Sequence, residues 1–243
     1  MKIVNKHIVI TGGASGIGLE LVKQLQGQNA LSVIARPSSH LEELRANYPD
    51  ITIFDADLSD LDRVRLAADQ LIKTEQSIDI LINNAAVQYV PYFLDEDFRL
   101  EMIRREVDIN FTSVCMLIYL LLPALIKQDP SIILNVNSGL AIAPKASSAV
   151  YCATKGALNL FSQSLGYQLE ATNVEVKQVF LPLVDTAMTK GRGSGKISPE
   201  EAAFEMIHAL SKSGGRIDIG KVKFLRLLQR LSPALASQLM KGA

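Results

Sequence analysis

Tyr151 and Lys155 stand four residues apart, and Ser138 precedes the tyrosine by thirteen. On one helix, a separation of four puts both side chains on the same face. A phenol and an ammonium held together can exchange a proton with a carbonyl or an alcohol near neutral pH. A free phenol, with a pKa of roughly 10, is a poor base in that range, so a neighbouring cation has to lower it. Ser138 is suited to hold the reacting oxygen by a hydrogen bond. Asn110 is also conspicuous, because asparagine in an apolar helical stretch competes with the helix's own hydrogen bonds. Taken singly, Tyr151 also reads as a packing residue and Ser138 as a turn residue before Gly139.

The chain opens with Thr11-Gly-Gly-Ala-Ser-Gly-Ile-Gly18 directly after an apolar run. Glycines between a strand and a helix let backbone approach a pyrophosphate, and the helix N-terminus faces its charge. Tight strand–helix turns also need glycine for conformation alone. No Gly-Lys-Ser/Thr follows, which disfavours a nucleoside-triphosphate loop. A phosphate-binding turn joined to a proton-transfer couple points to a nicotinamide-dependent oxidoreductase.

Apolar runs over 8–11, 31–35, 51–55, 78–83, 131–137, 174–181 and 216–219 read as seven strands. Helical stretches over 16–28, 39–47, 60–75, 106–127, 150–172 and 199–212 separate them. Uniformly apolar strands with helix-length connections predict a parallel sheet covered on both faces. Right-handed crossovers make it a single doubly wound, Rossmann-like α/β fold, with ligands outside the carboxyl ends of the strands. Residues 1–220 are expected to form the dinucleotide-binding and catalytic unit, with 221–243 as a basic segment of the same domain.

The ordered motifs resemble those of the short-chain dehydrogenase/reductase family from Lys6 to about Gly220. They are the glycine turn at 11–18, Asp57-Leu58, Asn83-Asn84-Ala85-Ala86, Asn110, Ser138 and Tyr151-Cys-Ala-Thr-Lys155. The resemblance implies that Tyr151 is the acid/base, Ser138 orients the substrate oxygen, Lys155 binds nicotinamide ribose hydroxyls, and Asn110 supports a water-linked relay to Lys155. It places Gly12, Ser15, Gly16, Ile17, Gly18, Asp57, Leu58, Asn83, Ala85, Val184 and Thr186 around the dinucleotide. Two positions depart from the family pattern: Ala86 and Pro182 stand where glycine is usual. At the end of the second strand, Ala35 replaces an acid and Arg36 follows. An arginine there pairs with a 2′-phosphate, whereas an acid binds ribose hydroxyls and repels it. NADP(H) is therefore favoured, with NAD(H) possible.

Val87, Gln88, Tyr89, Leu140 and Met188 are candidate substrate-lining residues beside Ser138 and Tyr151. They suit a carbonyl or alcohol on an apolar or mixed body, and none is an arginine for a carboxylate. The stretch 187–197, with Gly191, Gly193 and Gly195, reads either as a mobile lid or as an ungated surface loop. By resemblance the protein pairs into homodimers or homotetramers, with Leu117, Leu121, Phe161 and Leu165 as interface candidates; burial within one subunit is the simpler reading.

With 25 basic and 25 acidic residues, the net charge of zero gives no sign of a nucleic-acid partner. His7, His40 and His208 are scattered, and Cys115 and Cys152 make neither zinc spacing nor a disulfide framework, so no metal is expected and a reducing cytoplasmic setting is. No secretory leader is read at the start. The apolar run 114–126 is interrupted by Pro123 and falls short of the ~20 residues of a spanning helix. Residues 221–243 carry Lys221, Lys223, Arg226, Arg230 and Lys241 without an acid, while Phe224, Leu227, Leu228 and Leu231 recur at helical spacing. Such a helix packs on the domain or a neighbouring subunit, or rests on an anionic membrane; packing is favoured. Two further readings of the whole chain stay open: a catalytically vestigial dinucleotide-binding regulator on the same fold, and a membrane-attached enzyme.

Overall fold

The structure, a computed structural model, describes residues 3–74 and 77–242. All seven expected strands form: β1 (His7–Thr11), β2 (Ala30–Ala35), β3 (Thr52–Asp55), β4 (Ile80–Asn83), β5 (Ser131–Ser138), β6 (Val174–Leu181) and β7 (Arg216–Asp218). They pair in parallel in the order β3-β2-β1-β4-β5-β6-β7. Because side chains alternate across a strand, Ile8 and Ile10 of β1 enter one core layer and Val9 the other. Ile80, Ile82 and Leu81 of β4 divide in the same way. That two-sided burial makes these strands read as continuous apolar runs.

On one face pack α1 (Gly16–Leu25), α2 (Ser39–Asn47) and α7 (Pro199–Leu210), through Leu21, Val22, Leu41, Leu44 and Met206. The other face is covered by α3 (Leu61–Thr74), α5 (Ser113–Leu125) and α6 (Ala149–Gln168), through Val64, Leu71, Leu117, Leu121 and Leu158. The expected end of α3 at Glu75 lies outside the described residues.

The helix expected from Glu106 begins earlier. It runs as α4 (Leu100–Val107), a π-helical turn (Asp108–Thr112) and then α5. Leu100, Ile103 and Val107 recur at helical spacing there, but the residue that α4 buries is a carboxylate, Glu106. Leu100–Leu125 is thus a continuous 26-residue helical run whose most apolar 18-residue stretch has mean hydropathy 1.7. By length and composition alone it could cross a membrane, unlike the shorter run read from sequence. Its inner face is spent on the sheet, where Leu117, Ile118 and Leu121 are buried.

The basic C-terminal segment is two helices, α8 (Val222–Leu231) and α9 (Pro233–Lys241), divided before Pro233, a residue favoured in the first turn of a helix. They pack on the domain through Leu225, Ala236, Leu228 and Met240 around Ile142 and Ala143. Arg226 pairs with Asp218 and lies over the Phe180 ring at 4.5 Å. Phe224, Leu227 and Leu231 face outward instead.

The carboxyl ends of β1 and β4 are tied by one hydroxyl. Thr11 Oγ1 accepts from the backbone N–H of Asn84 and of Ala85, each at 3.0 Å. Thr11 is 2% exposed, so water cannot replace it. Thr11→Val should strand both donors and lower unfolding stability by about 2–4 kcal/mol, given ~1–3 kcal/mol for each unsatisfied buried group. Chemical denaturation checks this; a change below about 0.5 kcal/mol would refute the role given to the hydroxyl.

Candidate active site

The connections leave in opposite directions between β1 and β4, which opens a crevice at the carboxyl ends of the sheet. The glycine turn sits at its centre. Gly12 has φ +70° and Gly16 φ +52°, a region open to glycine without strain. A Cβ on Gly18 would stand 2.0 Å from the Gly12 carbonyl oxygen, and one on Gly12 would stand 3.1 Å from Ala85. Only glycine allows the turn to fold this tightly against β4. Ser15 occupies the N-cap of α1 with no side-chain capping bond, so the first N–H groups of the helix, at Gly16, Ile17 and Gly18, face the crevice. A Cβ on Gly16 would come within 3.3 Å of Thr186, so the turn and Thr186 form the two walls of a narrow cradle. A pyrophosphate with its charge on the helix end fits there.

Around that cradle the remaining cofactor candidates behave differently from one another. Arg36 is exposed just beyond β2, while Ala35 is buried. Ser38 caps α2 by accepting from Leu41 N–H. Leu58 is packed into the core. The Asp57 carboxylate accepts from the N–H and hydroxyl of Ser59 and pairs with Arg105 at 3.4 Å. Burial pushes its pKa up, but those partners outweigh burial and hold it below the usual carboxylate range. The side chain of Asn83 turns into the sheet, donating to Asn135 Oδ1 at 2.8 Å, so Asn83 can meet a cofactor only through its backbone. The neighbouring Asn84 braces the glycine turn by donating to Thr11 O at 3.0 Å.

The proton-transfer candidates converge. Tyr151 and Lys155 share α6, and the Lys155 ammonium lies 5.7 Å from the Tyr151 ring centroid. Lys155 is buried and donates to the Val136 carbonyl at 2.9 Å. Ser138 ends β5, with its hydroxyl accepting from Leu140 N–H at 3.1 Å. Burial pushes the Tyr151 phenol up to about 12, against the opposing hydrogen-bonding influence of Ser138 and the charge of Arg192. In the protein alone, without the positive nicotinamide ring that the expected lowering also relies on, desolvation outweighs those influences. The same burial brings Lys155 down to about 8.

Asn110 lies in the π-helical turn, whose irregular backbone explains how asparagine sits in an apolar helix. Its Oδ1 accepts from Val87 N–H and its Nδ2 donates to Val87 O, both at 2.8 Å, and Nδ2 also reaches Thr154 Oγ1 at 3.3 Å. One turn earlier, Glu106 Oε1 accepts from Tyr89 N–H at 2.6 Å. Together they clamp residues 87–89, the segment expected from the sequence to line the substrate. Burial raises the Glu106 carboxyl above its ordinary value.

Several residues of the site carry no sequence signal read in advance. Arg105 links Asp57 to the Tyr89 hydroxyl. Glu106 could have been found from its four-residue spacing to Asn110, which places both on one face. Arg192, within the glycine-rich stretch after β6, donates to Gln88 Oε1 at 3.0 Å and acts electrostatically on Tyr151. Leu140 and Met188 are half-buried nearby in sequence to Ser138 and Thr186. The stretch itself is anchored at both ends. Thr189 accepts from Thr186 N–H, and Val184 bridges Ile197. The interface candidates Leu117, Leu121 and Leu165 prove to be core within the subunit, and Phe161 packs edge-on against Phe111. The sheet needs their side of α5 and α6, which leaves Tyr119, Leu160 and Tyr167 outward.

Residues 6–196 match the short chain dehydrogenase family. The chain is 34% identical to DltE, an oxidoreductase of Bacillus subtilis, over 93% of this chain and 92% of that one. It is 29% identical to a fatty acyl-CoA reductase of Acinetobacter baylyi, over 98% of this chain and 84% of that protein. Its fold is similar to that of a short chain dehydrogenase from Burkholderia cenocepacia crystallised in complex with NADP, with a TM-score of 0.88, 24% identity, and coverage of 99% and 100% of the two chains. The fold and the match along most of its length define an oxidoreductase on a dinucleotide-binding scaffold. The chain belongs to the short chain dehydrogenase family.

Proposed function

We propose that this chain interconverts a carbonyl and its alcohol with NADP(H), using Tyr151 as acid and base. The observation that carries this reading is the convergence of Tyr151, Ser138 and buried Lys155 beside the glycine cradle. The cradle and Thr186 suit the pyrophosphate and nicotinamide ends of a dinucleotide, which when bound supplies or accepts the hydride. Ser138 and Tyr151 then hold the substrate oxygen between two hydroxyls. In reduction Tyr151 gives its proton to that oxygen, and in oxidation it takes the proton back. Lys155 holds positive charge near the phenol and restores its proton. Asn110 keeps residues 87–89 in place against the substrate and packs on Thr154, one residue before Lys155. It makes no direct hydrogen bond to Lys155 among the described residues, so a water-linked relay is the form its support would take.

Arg36 supports the NADP(H) preference. It is exposed at the end of β2, unpaired with any acid among the described residues, while Asp55 in the adjoining strand is held by Arg45 at 3.0 Å. The similarity to a fatty acyl-CoA reductase supports a carbonyl on a largely apolar body. A cavity of about 450 Å³ beside the site, lined by Pro91, Tyr92, Phe93 and Leu94, suits such a body. A homodimer or homotetramer would have to use outward residues such as Tyr119, Leu160 and Tyr167 rather than the buried leucines. The outward Phe224, Leu227 and Leu231 of α8 are what a membrane contact would use. A cytoplasmic location accords with two free cysteines, whose thiols burial keeps protonated.

Tyr151→Phe should leave NADPH binding within about twofold while lowering turnover at least ~100-fold, the scale of general acid–base catalysis. Fluorescence titration and ketone-dependent NADPH oxidation check the two parts; undiminished turnover would exclude the role. The phenol, at about 12, stays protonated through the neutral range, whereas Lys155 loses its proton near 8. The kcat/KM for reduction should therefore fall as pH rises through about 8; a plateau reaching past pH 10 would contradict the task assigned to Lys155. Arg36→Glu should shift the NADPH-over-NADH preference toward NADH by at least about tenfold, the ~1.5–3 kcal/mol of a charged hydrogen bond; an unchanged ratio would remove Arg36 from the cofactor site.

A further inference from the structure

Two cations stand near Tyr151, and neither forms an ion pair among the described residues. Arg192 reaches from the stretch after β6 across to the segment after β4, where it donates to the neutral amide oxygen of Gln88, 3.0 Å away. Lys145 lies on the loop between β5 and α6, and its backbone N–H donates to the thiol of Cys152, next to Tyr151. Both side chains are half-buried. Neither makes an ion pair with a carboxylate among the described residues. The two are close enough for the Arg192 charge to disfavour protonation of Lys145, adding to the larger effect of burial. Like charges kept together in a partly dehydrated place cost free energy unless an anion joins them. Lys145 precedes Ala146, which lines the cavity formed with Pro91, Tyr92, Phe93 and Leu94. The acid in that lining, Asp95, already accepts from Tyr92 N–H at 2.7 Å.

We propose that Arg192 and Lys145 form an anion subsite for the substrate, so that the protein acts on carbonyl compounds or alcohols bearing a carboxylate or phosphate beside an apolar part. The anion would lie between the guanidinium and the ammonium, with Gln88 fixing the arginine fork. The apolar part would rest on Pro91–Leu94, and the carbonyl oxygen would reach Ser138 and Tyr151. A guanidinium is the better partner for a planar, two-oxygen anion, and a lysine adds a point charge. This deepens the carbonyl reductase reading and rests on it.

The test compares para-acetylbenzoate, para-acetylphenyl phosphate and acetophenone, which share a ketone and ring but differ in charge. Binding is measured by calorimetry on the full chain with saturating NADPH, and NADPH oxidation is followed separately. The wild type should bind at least one of the two anionic ketones about tenfold or more tightly than acetophenone, and whichever anion is preferred identifies the source. Arg192→Gln and Lys145→Gln should each lower that ratio about tenfold or bring it to one, while Arg192→Lys and Lys145→Arg should retain most of it. A wild-type ratio near one overturns the subsite. So does a ratio that survives both neutral substitutions. A raised NADPH requirement in Arg192→Gln with the ratio intact would assign the guanidinium to the dinucleotide and also overturn the subsite. Selective anion binding with no ketone turnover would sink the reductase reading but sustain the subsite; equal reduction of all three ketones, with equal binding, would do the reverse.

Discussion

The closeness of the glycine turn to the end of β4 governs the rest of the site. No side chain fits between the Gly12 carbonyl and residue 18. Asn84 and Thr11 then lace the two strand ends together by hydrogen bonds. That contact sets where α1 begins, and hence where its free N–H groups aim. It also sets the height of Ala85, from which the chain continues to residues 87–89. The cradle and the clamp at Asn110 are therefore parts of one rigid assembly, built at the place where the sheet reverses its winding.

Burial is the second force, and it acts on Tyr151 and Lys155 in opposite electrical senses. It raises Tyr151 and lowers Lys155, each toward its neutral form. At neutral pH the phenol is therefore uncharged in the protein alone, while Lys155, titrating near 8, still carries most of its charge. Proton movement then requires that something offset the cost of ionising the phenol, a role open to positive charge at the site, Arg192 included. This gives the stretch after β6 an electrostatic part in the site, beyond covering it. The anchoring of that stretch at Thr189 and at the Val184–Ile197 bridge limits its freedom to the central residues.

Departures from the sequence reading have a common physical cause. The start of α4 at Leu100 was missed although Leu100, Ile103 and Val107 recur at helical spacing, and the residue it buries is a carboxylate, Glu106. Asn83 and Asn84 cannot be told apart in the chain, yet one turns into the sheet and the other into the glycine turn because consecutive side chains point to opposite sides near a strand end. The leucines of α5 and α6 are needed by the sheet and are unavailable to a neighbour. In each case the competing claim on the side chain comes from residues far away in the sequence.

Sequence alone determined the seven strands, the parallel doubly wound architecture and the motif positions, since these rest on local periodicity, glycine geometry and fixed spacing along one helix. It also brought Tyr151 and Lys155 to one face of α6. Tertiary structure decided which charges meet there. The sheet order brings the segment after β4, the loop after β5 and the stretch after β6 to one rim. Gln88 and Arg192, 104 positions apart, touch only because of that order. Desolvation, too, belongs to the assembled core, so the ionisation of Tyr151 and Lys155 had no signature in the chain until the fold closed around them.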